Sequence, residues 1–172
     1  VVRNTKKYLT QPYFEVLRNS GAYNPNLQTT KIDFQELPEF EYSRTRVNDQ
    51  RVNYLWDRAI FHHKKDDYFL ILDALKFQKF DYFTLANLFH TRQILEQGDG
   101  WYLTHIDLIQ GKHENPGNMN LLVIFLQPDK ECGVEKERRD FQEEQALYQA
   151  CSQSYNAGDT ETFATVLVPV EP

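Results

Sequence analysis

Cysteine is scarce: Cys132 and Cys151 are the only two in 172 residues. Two cysteines cannot make a disulfide framework, and no C-x-x-C pair offers metal-ligand spacing. One bridge is the most the chain can form, and only in an oxidising compartment. Long apolar runs are also missing. The longest, Leu121 to Leu126, falls far short of the roughly 20 residues of a membrane span and suits a buried strand, so no membrane partner is expected. There is no basic excess either. A net charge of −6 and a pI near 5.4 argue against a nucleic-acid partner. Arg44, Arg46 and Arg51 form a local basic run, which a solvated strand face explains. An acidic polysaccharide would need a local basic cleft to be held at all. No Gly-rich phosphate loop, serine nucleophile elbow or HExxH segment occurs. The opening Val1-Val2-Arg3-Asn4 carries no signal-peptide pattern, and a mature or excised fragment is expected.

What the chain does have is aromatic residues, 12 Phe and 10 Tyr, within 41% hydrophobic residues. That is ample for the core of one domain, and the residue types favour strands. Residues 1–38 are turn-rich, with Ser20-Gly21 and Asn24-Pro25-Asn26, and are expected to be an irregular segment packed on the rest. Residues 39–172 are expected to form the folded domain. Asp57 to His63 and Tyr68 to Leu75 flank the charged turn Lys64 to Asp67 and predict a hairpin. Phe80 to His90 is apolar on both faces, as in a strand covered from two sides. Trp101 to Ile109, Leu121 to Gln127 and Thr162 to Val168 predict further strands, the last ended by Pro169. Val134 to Gln153 fits a helix or two strands equally. Many short strands between polar turns predict an all-β, antiparallel β-sandwich, because stacking two sheets buries both apolar faces.

Candidate site residues are few. Trp101, Tyr102 and His105, with Asp107 and His113 nearby, could line a sugar-binding face. The alternative is that Trp101 packs after its turn and holds a sheet edge. His62 and His63 are adjacent, so a strand sends them to opposite faces and they cannot share an ion. Asp66-Asp67 and Glu143-Glu144 are expected in solvated turns, not in acid/base catalysis.

The runs DRAIFHHKKDDYFLILDAL (57–75) and YFTLANLFHTRQILEQGDGWY (82–102), with the ending TFATVLVPVEP, resemble a known module. It is the C-terminal β-sandwich of heparinase II/III-like polysaccharide lyases, which follows a helical toroid. The resemblance implies eliminative cleavage of uronate-containing glycans by the parent protein, in the periplasm or outside the cell. It implies an acidic polysaccharide or a toroid domain of the same protein as partners, and a structural zinc for which His90, with Asp73 on the neighbouring strand, would be a ligand; a closed zinc site needs four ligands, so a hydrogen-bonded polar pair is the plainer expectation. The family's catalytic groups do not transfer. Arg3-Asn4-Thr5 has Arg where the family has His, and the toroid lies outside this chain. The isolated chain is therefore expected to support catalysis and not to perform it. The alternatives are a stand-alone carbohydrate-binding module and an interaction domain.

Overall fold

The computed structural model describes residues 2–3, 29–50, 53–105, 119–139 and 142–171. All regular structure among them is β: β1 (Val2–Arg3), β2 (Thr29–Glu36), β3 (Phe40–Asp49), β4 (Tyr54–His63), β5 (Tyr68–Phe77), β6 (Asp81–Thr91), β7 (Gln93–Gly98), β8 (Trp101–His105), β9 (Asn120–Phe125), β10 (Glu131–Arg139), β11 (Gln142–Tyr155) and β12 (Thr160–Val170). The period-two pattern that dictates them is plainest in β5. There Ile71, Asp73, Leu75 and Phe77 are buried, while Leu72 and Lys76 between them are exposed. Its hairpin with β4 turns through Lys64–Asp67, and Asp67 takes the left-handed conformation (φ 46°) that Asp tolerates better than most residues.

The strands form an eight-stranded sheet in the order β2-β3-β4-β5-β12-β9-β8-β7 and a four-stranded sheet in the order β1-β6-β11-β10. All pairings are antiparallel, and the two sheets make the expected sandwich. Two clusters of side chains fill the space between them. Tyr54, Leu75, Phe77 and Phe163 of the large sheet meet Phe83, Leu85 and Tyr155 of the small one. Tyr102, Val123 and Phe125 meet Leu147. Among the described residues, β2 and β3 give no side chain to a core cluster, although Val47 of β3 is buried, and β2 is exposed along its whole length. The large sheet thus extends past the core as a wing.

Two expectations need correction, and one open alternative is decided. Residues 1–38 are not irregular throughout: β1 pairs with β6, and β2 pairs with β3 along Thr29–Glu36. In β2 the β-branched and aromatic residues Thr29, Thr30, Ile32 and Phe34 supply the strand propensity, and Pro38 follows its end. The turns at 20–26 lie outside the described residues. Of the two alternatives for Val134 to Gln153 the structure has the two strands, β10 and β11, and β11 is hydrogen-bonded on both sides, to β6 and to β10. Pro169 does not end the last strand. Pairing with β5 stops at Leu167, so the missing N–H of Pro169 falls where β12 pairs with β9 alone.

Candidate functional site

The structure separates the expected zinc pair. Asp73 lies on β5 with its side chain in the interior, and His90 lies on β6 of the other sheet. Asn87 on β6 bonds Thr165 on β12, so odd positions of β6 face the large sheet and His90 faces away from it. Both oxygens of Asp73 already accept hydrogen bonds, from Trp56 Nε1 (2.7 Å) and from Arg58 Nε and Nη2 (2.8 and 2.9 Å). Among the described residues no three His, Cys, Asp or Glu side chains gather as a metal site would require. Cys132 and Cys151 are free, and burial pushes both thiols up, Cys151 to about 11 despite its hydrogen bond with Tyr155.

The aromatic trio divides as well. Tyr102 points into the core, where it meets Phe125 edge-on, while Trp101 and His105 occupy the opposite face of β8. The His105 ring bonds Asn120 Oδ1 at 2.9 Å. The Trp101 indole lies over Gly98, its cross-strand partner, beyond the turn at Gly100 (φ 72°). A Cβ at residue 98 would sit inside that ring, so Gly98→Ala should destabilise the chain by about 1–3 kcal/mol, read as a lowered urea midpoint. An unchanged midpoint would show that the indole is not seated there. Asp107 and His113 lie outside the described residues. His62 and His63 do go to opposite faces, stacked on Phe69 and Tyr68 respectively. Asp66 and Asp67 sit in the turn, but Glu143 and Glu144 lie on β11, where pairing with β10 continues.

The site the fold does build starts from the alternation of β4. Trp56 and Arg58 face the interior opposite Leu75 and Asp73 of β5. Arg58 leans over the Trp56 ring (5.2 Å to its centroid) while its fork grips Asp73. Across the sandwich, among the described residues, β6 pairs with β1 at Phe83 and Thr84. Beyond that point Ala86, Asn87 and Leu88 close a cavity of about 180 Å³ together with Trp56, Arg58, Asp73, Leu75 and Phe163. Asn87 is only 4% exposed; its Nδ2 donates to Thr165 Oγ1 at 2.6 Å, and its Oδ1 meets no donor. Sequence reasoning missed this site, apart from Asp73. The available signals were Trp56-x-Arg58 on one strand face and an amide inside the apolar run of β6.

Two further charge clusters are structural. On the outer face of the wing, Asp57 accepts from Arg46 (2.6 and 2.7 Å) and from Arg44 (2.6 Å). The two Arg46 hydrogen bonds, with the one from Arg44, hold its carboxyl below the usual range against the effect of burial. At the other end Glu161 accepts from Tyr155 (2.6 Å) and pairs with Lys130 (3.2 Å).

No protein-family model and no curated protein matches the sequence. Solved structures share the fold. The heparan sulfate lyase HepC from Pedobacter heparinus superimposes with a TM-score of 0.61 at 13% identity, over 84% of this chain and 22% of that one. The heparinase III BT4657 gene product gives 0.60 at 14% identity with the same coverage. The likeness is one of fold, and this chain spans about a fifth of the length of those lyases.

Proposed function

We propose that this chain is the β-sandwich module of a heparinase II/III-like polysaccharide lyase, and that it supports the catalytic region without itself cleaving glycan. The observation that carries this reading is the shared fold over 84% of this chain but only 22% of the lyase chains. The wing agrees with it. Strand β2 exposes Ile32 and Phe34, and an exposed apolar strand beyond the core is what a companion domain would cover. On this reading the companion is the helical toroid of the same protein. The substrate is an acidic, uronate-containing polysaccharide, and the protein works in the periplasm or outside the cell.

Elimination leaves an unsaturated uronate that absorbs in the ultraviolet, so the proposal has a direct assay. The chain alone should give no absorbance increase on heparan sulfate or other uronate glycans, whereas the protein that joins it to its toroid should. Turnover by the isolated chain would defeat the supporting role. Full activity of a toroid stripped of this module would defeat the need for it.

A further inference from the structure

We infer that the pocket at the end of the sandwich, between the β7–β8 turn and the β9–β10 turn, is a binding site for a small primary amine held as its ammonium. Asp99 stands in the first turn and Pro128 in the second, and Tyr102, Phe125 and Cys132 form the wall behind them. Those three belong to one core cluster, so all three reach the space between the sheets. The first ground is Tyr102. It is only 5% exposed, and its hydroxyl has no hydrogen-bond partner among the described residues. The oxygen is nonetheless not sealed in. The buried side-chain atoms that are both closed off and unpartnered among the described residues are Asn87 Oδ1 and Gln149 Oε1. A hydroxyl that the protein leaves unpaired and the pocket leaves open is one that a ligand can satisfy. The second ground is room. The pocket's volume of about 150 Å³ equals the liquid volume of about five waters and matches a cavity that admits a benzene ring.

Charge then selects the ligand. Asp99 has no ion-pair partner among the described residues. Burial comes first in raising both the Tyr102 phenol and the Cys132 thiol, and the Asp99 charge adds to each. Both groups therefore stay neutral at pH 7, and the Asp99 field they feel is negative. Lys130 does not reverse it. Its ammonium is held by Glu161 at 3.2 Å and by Thr162 O at 2.7 Å, and it lies over the Phe163 ring. A carboxylate, a phenol oxygen and a thiol sulfur can all accept, and an ammonium brings three N–H donors with a positive charge. Phe125 and Pro128 offer apolar surface to the carbon body, which the volume limits to about one six-membered ring. An anion would instead face the Asp99 carboxylate. This site is independent of the lyase reading and would stand if that reading fell.

The test uses the whole chain and cyclohexylamine, with cyclohexanol as the neutral analogue of the same size and cyclohexanecarboxylate as the anionic one. All three are titrated at neutral pH by calorimetry and ligand-observed NMR. The amine should bind saturably, with the alcohol and the carboxylate about tenfold weaker or worse. Tyr102→Phe keeps the ring and removes only the hydroxyl. It should weaken amine binding about threefold to tenfold and leave the urea midpoint no lower, because that hydroxyl bonds nothing inside the protein. Asp99→Asn changes an exposed turn residue at constant size. It should weaken the amine about tenfold and leave the weaker binding of cyclohexanol unchanged. The inference is overturned if the amine does not saturate, if cyclohexanol matches it, or if either variant binds the amine like the parent. A lowered midpoint for Tyr102→Phe would also overturn it, since the hydroxyl would then have its partner within the protein.

Discussion

Lys130→Met is expected to lower the unfolding free energy by about 3–5 kcal/mol, the range for breaking a buried ion pair from one side. The Lys130 and Glu161 side chains are only 9% and 14% exposed, and their charges sit 3.2 Å apart. The ammonium also donates to Thr162 O at 2.7 Å and lies 4.9 Å from the centroid of the Phe163 ring. Met keeps the stem and its packing but removes the charge. Glu161 then retains Tyr155 and Gln153 as donors with no cation to balance it. Replacing both partners with apolar residues, as in Lys130→Met with Glu161→Leu, should recover much of the loss, because no lone buried charge remains. Urea unfolding of the three proteins checks this. A single variant within about 1 kcal/mol of the parent would mean that water reaches the pair and screens it.

The same pair fixes the sign of an acid response. Burial pushes the Glu161 carboxyl up, but hydrogen bonds from Tyr155 and Lys130 and the attraction of Lys130 outweigh it, so its folded value lies below the ordinary 4.5. A lowered carboxylate contributes stability that is complete above the unfolded value and is lost as pH falls through the folded one. Asp57, held down by Arg46 and Arg44, acts in the same direction. The parent should therefore lose stability on acidification below about pH 4.5. In Lys130→Met the burial of Glu161 is no longer offset by the cation, so that part of the acid sensitivity should shrink.

Much of the fold was legible because each sheet must hide one face. The β4–β5 hairpin, the two-sided β6 and the strands β8, β9 and β12 follow from alternation and turn chemistry. Residues 134–153 were not legible from periodicity. Glu135 with Arg139 and Phe141 with Gln145 have helical spacing, and strand pairing on both sides of β11 overrides it. Strand β2 was hidden for the opposite reason. It is exposed throughout, so no buried face imprints a pattern on it.

The site was less legible than the fold. A sequence shows which residues alternate but not which strands become neighbours. Asp73 and His90 look adjacent because β5 and β6 are consecutive, yet the chain changes sheets between them. Trp56, Arg58 and Asp73 meet only once β4 and β5 pair in register, and Asn87 joins them only across the sandwich. Tyr102 stands beside Trp101 in sequence, and for that reason alone a strand turns it to the other face.

The second large effect separates the core from the wing on one face of one sheet. Through the pairs Phe34–Ser43, Ser43–Ile60 and Ile60–Ile71, Phe34 shares the face of β5 that carries Phe77. Phe77 is 1% exposed, stacked on Tyr155 at 4.0 Å and tilted against Phe83 at 4.7 Å. Phe77→Ala should cost about 3–5 kcal/mol, the transfer and cavity terms of a fully packed ring. Phe34 is 51% exposed, and Phe34→Ala should change the isolated chain's stability by no more than about 0.5 kcal/mol. On the proposed lyase-module reading, Phe34→Glu in a protein that joins this chain to a toroid should impair lyase activity while leaving the unfolding midpoint of the isolated chain intact. Equal losses for Phe34→Ala and Phe77→Ala in the isolated chain would mean that the wing is part of the core. Undiminished activity of Phe34→Glu in the joined protein would mean that no companion rests on that strand.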